Sequence, residues 1–372
     1  MKVSAEILNL VPYKPGKPIA ETQREFGLKD VYKLASNENP LGPSPKAIEA
    51  IRKALDNQHR YPDPVCYDLI QKISQKWQVP ASQVGIGNGS NELIDLIIRI
   101  FCEPGDSILT SEAAFVAYKV CAQAARVKVR TVPLRSDLTL DLKGIADDFF
   151  RNPTAKTQLI FIPNPNNPTG TSVGGQELDE FLVRLGNRDD VLLVFDEAYT
   201  EYVRDPQFKG AAKFYNKYSN IIVLKTFSKV YGLAGLRLGA MLAPEYVLEL
   251  YNRVRNPFNV NELAQVAGIA ALEDVDYIKA SQTSVWSGLD YFYKELTRLG
   301  LPYFKSDANF VLFDTLRNAD QCFNYLLRLG VILRPVANYG FPNYLRMTVG
   351  QDFENKIAIA SLEKMIKEIP TL

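Results

Sequence analysis

The sequence is poor in the residues on which several common catalytic and metal sites depend. It contains a single histidine, His59, and only four cysteines among 372 residues, and no two cysteines form a C-x-x-C pair. One imidazole excludes a His-rich zinc site and makes a Ser-His-Asp triad a poor candidate, so no metal site is predicted. If the protein is an enzyme of acid–base chemistry, lysine, tyrosine or a carboxylate has to supply the base.

Net charge and long apolar runs are also missing. The 43 Lys and Arg residues balance the 42 Asp and Glu residues to a net charge of +1, and no basic run points to a nucleic-acid partner. The first residues lack the apolar core of a signal peptide, and the densest apolar segment, 93–101, is interrupted by Asp95 and Arg99. With few cysteines, which we interpret as small apolar core residues, the sequence predicts a reduced, cytoplasmic setting without a membrane span.

From residue 84 onward, short apolar segments alternate with helical patterns, and this alternation predicts an α/β fold. Many of the short segments are apolar on both faces, which is typical of a parallel sheet covered by helices. Strands are predicted at 107–110, 128–133, 159–162, 191–195, 221–224 and 238–242, and helices at 46–57, 91–101, 114–125 and 176–185.

The pattern changes near residue 260, where long helices over 261–299 precede a few short strands and a final helix. This change predicts a second, smaller α+β domain. We therefore expect an N-terminal arm at 1–45, a large domain with a mostly parallel sheet at 46–258, and a small C-terminal domain at 259–372.

A glycine-rich segment, 85–92, leads from a strand-like run into an apolar helix that Ser90 or Asn91 is predicted to cap. The first turn of a helix presents N–H groups and a positive dipole end, which suits a phosphate. The segment lacks the third glycine of a dinucleotide fingerprint, since Ser90 stands there, and it lacks the ending of a P-loop. The alternative is a tight turn with a cap.

Polar side chains follow three further apolar strands. Asn167 lies in NPNNPTG directly after LIFI, Asp196 and Tyr199 end VLLVFDEAY, and Lys229 follows IIVL by a few residues, with Arg237 eight residues later. Ligands bind at the carboxyl ends of parallel strands in α/β proteins. Each segment alone also fits a plain explanation: a Pro-Asn turn, a pair of surface acids, a solvated lysine.

Taken together, these segments offer a phosphate-binding helix end, an amide, a carboxylate, a phenol, an amine and an arginine. Pyridoxal 5′-phosphate (PLP) needs this set, because its aldehyde reacts with a lysine, its ring nitrogen needs a carboxylate partner, and its hydroxyl and phosphate need hydrogen-bond donors. The combination favours a PLP enzyme over a nucleotide-binding oxidoreductase.

The chain resembles the fold-type I, aspartate-aminotransferase-like PLP enzymes, and among them the histidinol-phosphate aminotransferase family. The resemblance covers essentially the whole chain. It is carried by nine motifs in the family's order: SNENPLGPSP (36–45), RYPD (60–63), GNGSNELIDLI (88–98), NPNNPTG (164–170), VFDEAYTEY (194–202), TFSKVYGLAGLRLG (226–239), NFVLF (309–313), GVILRP (330–335) and YLRMTVG (344–350).

The resemblance implies a role for each matching residue around the cofactor. Lys229 would be the Schiff-base lysine and proton carrier, Asp196 would pair with the ring nitrogen, and Asn167 and Tyr199 would hold the ring hydroxyl. Phe115 would stack on the ring, although 111–115 reads SEAAF where the family usually has PTY or PTF. The phosphate would be held by Ser90, Asn91, Thr226, Ser228 and Arg237.

The resemblance also implies an assembly and a substrate. Tyr61 of RYPD would reach the phosphate in the neighbouring subunit's site, which implies a homodimer that acts on small molecules. Arg346 would bind the substrate's carboxylate or phosphate, and Arg334 is a second cation that could join it, unless it forms a surface ion pair. The N-terminal arm would contribute to the small domain and the substrate site through Tyr13, and Asn167 would also contact substrate.

The implied reaction is transamination between L-histidinol phosphate and 2-oxoglutarate, giving imidazole acetol phosphate and glutamate in histidine biosynthesis. Three alternatives share the fold: an aromatic amino acid aminotransferase, a PLP-dependent decarboxylase of a phosphorylated amino acid, and a non-catalytic regulator. The last is disfavoured because Lys229, Asp196 and Arg237 are all present and no DNA-binding segment is attached.

Overall fold

The computed structural model describes residues 3–12, 16–208 and 210–371. The helices are α1 Ala5–Leu8, α2 Ile19–Phe26, α3 Pro45–Ala54, α4 Tyr67–Trp77, α5 Ser90–Phe101, α6 Val116–Ala124, α7 Leu142–Arg151, α8 Gly175–Leu185, α9 Glu245–Val254, α10 Glu262–Glu273, α11 Val275–Arg298, α12 Ala319–Arg328 and α13 Asp352–Glu368. The strands are β1 Tyr32–Lys33, β2 Val84–Gly87, β3 Ser107–Ser111, β4 Lys128–Val132, β5 Thr157–Pro163, β6 Leu192–Asp196, β7 Ile221–Thr226, β8 Gly239–Leu242, β9 Tyr303–Phe304, β10 Phe310–Asp314, β11 Val331–Ile332, β12 Arg334–Val336 and β13 Phe341–Thr348.

A seven-stranded sheet in the order β2-β8-β7-β6-β5-β3-β4 forms the centre of the molecule. Its neighbours from β4 to β7 are parallel, whereas β8 runs antiparallel to both β7 and β2. The segment 227–238 that joins β7 to β8 contains no α-helix. Because no crossover helix follows β7, the chain turns back directly, and β8 therefore pairs with β7 in the antiparallel direction. The sequence predicts this strand correctly but not its direction.

The central strands are buried on both faces, as their composition predicts. Every residue of β3 and β6 is buried, and an apolar cluster lies on each side of the sheet. One cluster is formed with α5, α6 and α9, and the other extends through α8 into the C-terminal part of the chain. Because apolar clusters pack on both faces of the sheet, the ends of its strands, where the polar motifs lie, are held in place.

The C-terminal part is built on a four-stranded antiparallel sheet, β12-β13-β10-β9, packed with α11, α12 and α13. The N-terminal segment joins it, because β1 pairs in parallel with β11 through Tyr32 and Val331. The predicted helical stretch 261–299 consists of two helices that meet at Asp274, and α10 packs on α3 and α4.

The architecture is therefore the predicted one, a helix-covered and mostly parallel sheet with a smaller α+β unit. No helix in the described ranges is both long enough and apolar enough to span a bilayer.

Candidate active site

A cavity of about 950 Å³ lies at the carboxyl ends of β5, β6 and β7. It brings together twelve of the fourteen residues that the sequence singles out: Ser90, Asn91, Phe115, Asn167, Asp196, Tyr199, Thr226, Ser228, Lys229, Arg237, Arg334 and Arg346. Tyr61 does not line it, and Tyr13 lies outside the described residues. Within the described ranges, no cluster of His, Cys, Asp and Glu side chains could hold a metal ion.

Asp196 is the last residue of β6 and is only 6% exposed. One carboxylate oxygen, Oδ2, accepts a hydrogen bond of 2.7 Å from the hydroxyl of Tyr118, and the other accepts a longer one from the N–H of Ala198. Burial raises the pKa of Asp196, and the Tyr118 and Ala198 hydrogen bonds and the nearby Lys229 act against this rise. Tyr118 is a site residue that the sequence analysis missed.

Lys229 follows β7 by three residues and projects its amine into the cavity. Burial lowers its pKa to about 8, with a further lowering from the positive charges of Arg346 and Arg237, against Glu38 and Asp196. The Nζ atom lies 3.4 Å from the carbonyl oxygen of Ser36. A substantial share of this amine is therefore neutral near pH 8, as a nucleophile or proton acceptor requires.

Tyr199 belongs to a buried hydrogen-bond network that joins residues far apart in the sequence. The side-chain amide of Asn37 donates to the Tyr199 hydroxyl at 2.9 Å, and the hydroxyl of Thr348 donates to the Asn37 side-chain oxygen at 3.0 Å. The backbone N–H of Asn37 also bonds to Thr348. Sequence analysis assigned no role to Asn37 or Thr348; the only signal is that each lies within a quoted motif, SNENPLGPSP and YLRMTVG.

Arg346 connects the C-terminal sheet with the loop after β5. Its guanidinium donates to the side-chain oxygen of Asn167 and, at 2.6 Å, to the carbonyl oxygen of Ala35, and it lies over the ring of Phe310. Arg334 is its direct partner across β12 and β13, so the two arginines lie at opposed positions of adjacent strands. Both line the cavity, which gives one wall a concentrated positive charge.

The other end of the cavity is formed by the start of α5. Gly89 is the N-cap, with φ of 80°, and no side chain caps the helix, so the predicted cap by Ser90 or Asn91 is wrong. The positive φ of Gly89, which glycine adopts readily, lies just before the helix, and Ser90 is already the first helical residue. Both side chains instead line the cavity.

Glycine is required at two points of this end. A Cβ on Gly89 would lie 2.6 Å from Nη2 of Arg237, and a Cβ on Gly239 would collide with the backbone nitrogen of Ser90. The result is a small cradle bounded by uncapped N–H groups and a guanidinium, which is suited to an anion.

Tyr61 lies outside the cavity on the surface of the chain. Its side chain is 82% exposed and stacks on Phe258, with ring centroids 4.6 Å apart. Val65 and Tyr67 nearby are also exposed. A cluster of exposed aromatic and apolar side chains of this kind is typical of an interaction surface.

Residues 29–362 match the family model for class I and II aminotransferases. The chain is 58% identical over the full length of both chains to a histidinol-phosphate aminotransferase of Bdellovibrio bacteriovorus. It is similar to the crystal structure of the Sinorhizobium meliloti histidinol-phosphate aminotransferase in complex with pyridoxal-5′-phosphate, with a TM-score of 0.88, 26% identity and 98% of each chain covered.

A Thermus thermophilus aspartate aminotransferase variant has the same fold, with a TM-score of 0.83 at 20% identity over 98% of this chain and 100% of that one. The predicted fold-type I architecture is thus confirmed. The chain belongs to the class I and II aminotransferases and, within them, to the histidinol-phosphate aminotransferase family.

Proposed function

We propose that this protein uses PLP to transfer the amino group of L-histidinol phosphate to 2-oxoglutarate, giving imidazole acetol phosphate and glutamate in histidine biosynthesis. The observation that carries the proposal is the joint placement of Lys229, Asp196 and the opposed pair Arg334 and Arg346 around one cavity. The curated relative that matches the full length of the chain has the same named activity.

The residues present fit PLP. The cradle at Gly89 and Gly239 has no room for a Cβ and faces the uncapped start of α5, which suits the cofactor's phosphate. Bound PLP supplies an aldehyde that takes up the amino group and a ring that withdraws electrons from the reacting carbon. The phosphate would be held by Ser90, Asn91, Thr226, Ser228 and Arg237.

Four further residues would orient the cofactor's ring. Asp196 would accept a hydrogen bond from the ring nitrogen, and Asn167 and Tyr199 would bind the ring hydroxyl. Phe115 lines the cavity and contacts Tyr118 edge to face, with ring centroids 5.8 Å apart, which supports a position against the face of the ring.

Lys229 would carry the proton that leaves the reacting carbon of the substrate. Because burial and two arginines lower the pKa of its amine to about 8, Nζ can both accept and return a proton near neutral pH. Asp196 would remain an anion, supported by the hydrogen bond from Tyr118, and so stabilise positive charge at the ring nitrogen.

The arginine pair would bind the acidic groups of the two substrates. Histidinol phosphate carries a phosphate, whereas glutamate and 2-oxoglutarate carry carboxylates, and the guanidinium fork fits both groups. We assign Arg346 to both substrates and Arg334 to the more highly charged phosphate. Tyr13, expected to close over the substrate, lies outside the described residues.

We further propose a cytoplasmic homodimer in which Tyr61 serves the site of the neighbouring subunit. Its high exposure, its stacking on Phe258 and its position outside its own chain's cavity support this role.

The free thiols of Cys66, Cys102 and Cys121 have pKa values raised by burial to about 12, which fits packing rather than catalysis.

We keep the domain division at 1–45, 46–258 and 259–372 as a proposal. The pairing of Tyr32 with Val331 supports an arm that joins the small domain. The helix Glu262–Glu273, just after residue 258, packs on Pro45–Ala54 and Tyr67–Trp77, which belong to the proposed large domain.

A substrate panel tests the proposal. Purified protein with PLP and 2-oxoglutarate is given histidinol phosphate, phenylalanine, tyrosine or threonine phosphate, and glutamate formation is measured. We expect the highest kcat/KM for histidinol phosphate. Good turnover of phenylalanine without turnover of histidinol phosphate would favour the aromatic aminotransferase, and release of CO₂ from threonine phosphate would favour the decarboxylase.

A further inference from the structure

Tyr118 joins two residues that contact different parts of the proposed cofactor site. It lies in the first turn of α6, three residues after the N-cap residue Phe115, and the two rings contact edge to face with centroids 5.8 Å apart. Its hydroxyl donates to Oδ2 of Asp196 at 2.7 Å. The start of α6 thus carries both the aromatic ring of the cavity wall and the hydrogen-bond donor to the buried carboxylate.

The position of the Tyr118 hydroxyl is fixed by its surroundings. The side chain is fully buried and stacks on Phe161, with ring centroids 4.6 Å apart and planes 21° from parallel. Phe161 lies on β5, the strand directly beside β6, which ends at Asp196. Two neighbouring strands and one helix therefore hold the donor and the acceptor in register.

In the hydrogen bond between Tyr118 and Asp196, the phenol is the donor and the carboxylate is the acceptor. Burial and the neighbouring Asp196 raise the pKa of Tyr118 well above its usual value, so the phenol keeps its proton and can only donate to the carboxylate. Among the influences that oppose the rise in the pKa of Asp196 caused by burial, this hydrogen bond is the largest. A donor bound to the charged form of a carboxylate favours that form.

We propose that Tyr118 is a positioning residue that keeps Asp196 ionised and aims its carboxylate at the cofactor's ring nitrogen. This inference rests on the proposed function, since it takes Asp196 as the partner of that nitrogen. A purely structural Tyr118 would fill the core between α6 and β5 and would have no specific effect on the ring nitrogen.

The test compares the affinity of the apo full-length protein for PLP and for its 1-deaza analogue, in which carbon replaces the ring nitrogen. Both compounds share the aldehyde, the hydroxyl and the phosphate, so the ratio of their dissociation constants reports on the nitrogen alone. In Tyr118→Phe, which removes one oxygen and keeps the ring, we expect this preference for PLP to fall by about tenfold.

Tyr251→Phe is the matched control. Tyr251 is also buried and its hydroxyl also donates a hydrogen bond of 2.7 Å, but to the carbonyl oxygen of Ile86 and away from the cavity lining. This variant should keep the wild-type ratio. In an Asp196→Asn background, Tyr118→Phe should produce no further fall, because the carboxylate through which it acts is gone.

The possible outcomes distinguish the proposed role of Asp196 from the proposed role of Tyr118. A wild-type protein that binds PLP and its deaza analogue equally well would overturn Asp196 as the ring partner and the Tyr118 inference with it. A wild-type preference that survives intact in Tyr118→Phe would overturn the Tyr118 inference alone. Equal weakening of both compounds in Tyr118→Phe would also overturn it, by assigning Tyr118 a packing role.

Discussion

Arg334 and Arg346 occupy directly opposed positions on adjacent antiparallel strands, and both line the same cavity. Two guanidinium groups this close repel each other, and an anion of high charge relieves the repulsion best. On the proposed function, we therefore expect the site to prefer a phosphate, with its charge near −2, over a single carboxylate.

The first expectation concerns this pair. Arg334→Ala should lower kcat/KM for histidinol phosphate more than for phenylalanine, whereas Arg346→Ala should lower both. Loss of a charge-assisted contact corresponds to about ten- to a hundredfold. Steady-state kinetics on both donors at saturating PLP measure the effect, with Arg328→Ala on the exposed side of α12 as control. Equal losses on the two donors in Arg334→Ala would contradict phosphate selection by that residue.

Lys229→Ala should abolish turnover and the absorbance band of the imine between this lysine and the cofactor. The variant should still bind PLP through the phosphate cradle, because Ser90 and Arg237 are unchanged. Absorbance spectra, dialysis and single-turnover assays separate these properties, with the exposed Lys294→Ala as control. Sustained transamination by Lys229→Ala would refute the assigned proton carrier.

Asp196→Asn keeps the shape of the side chain and removes its negative charge. The barrier should rise by about 3 kcal/mol or more, roughly a hundredfold or greater in rate, because positive charge at the ring nitrogen loses its partner. Pre-steady-state kinetics with saturating donor measure the step. A rate within about threefold of wild type would correspond to a barrier change of less than about 1 kcal/mol and would show that Asp196 has another role.

The lowered pKa of Lys229 makes the stability of the apo protein depend on pH. The folded amine loses its proton near pH 8, whereas the unfolded amine keeps it to about its ordinary value of 10.5. Between these values the unfolded state binds more protons, so the free energy of unfolding rises with pH, by at most about 1.4 kcal/mol per unit. Thermal melts from pH 7 to 10 should show this rise relative to Lys229→Met. Parallel curves for the two proteins would mean that the amine is not perturbed.

Mixed dimers test the role of Tyr61. If sites are shared, a dimer of one Lys229→Ala chain and one Tyr61→Phe chain has one site with both defects and one site with neither. Activity after subunit exchange should then exceed the mean of the two parents. An activity equal to that mean, once exchange has been verified by mass spectrometry, would place each whole site within one chain.

The polar strand ends are the part of the site that the sequence predicts well. Asn167, Asp196 and Lys229 each follow an apolar run, and the ends of parallel strands meet at one sheet edge. Their convergence therefore follows from local pattern plus one general rule of α/β folds. The motif resemblance adds Arg334 and Arg346, whose position depends on the register between β12 and β13 and not on any local pattern.

Contacts made across the fold are the part that local pattern does not predict. Tyr118 reads as an ordinary helix residue, and only the packing of α6 on β5 and β6 brings its hydroxyl to Asp196. Asn37 and Thr348 carry no signal of their mutual bond. The direction of β8 likewise depends on how the segment 227–238 turns, and the helix cap at Gly89 depends on a positive φ that composition does not specify.

The bond between Asn37 and Thr348 spans 311 residues of sequence. A ribosome synthesises the chain from its N-terminus, so Asn37 is made 311 residues before its partner Thr348. Until then Tyr199 lacks its buried Asn37–Thr348 support, and Arg346 is still unsynthesised. A nascent chain therefore cannot complete this cavity until residue 348 has been made, and a chain that terminates before residue 346 has the large sheet but lacks both Arg346 and the Asn37–Thr348 bond.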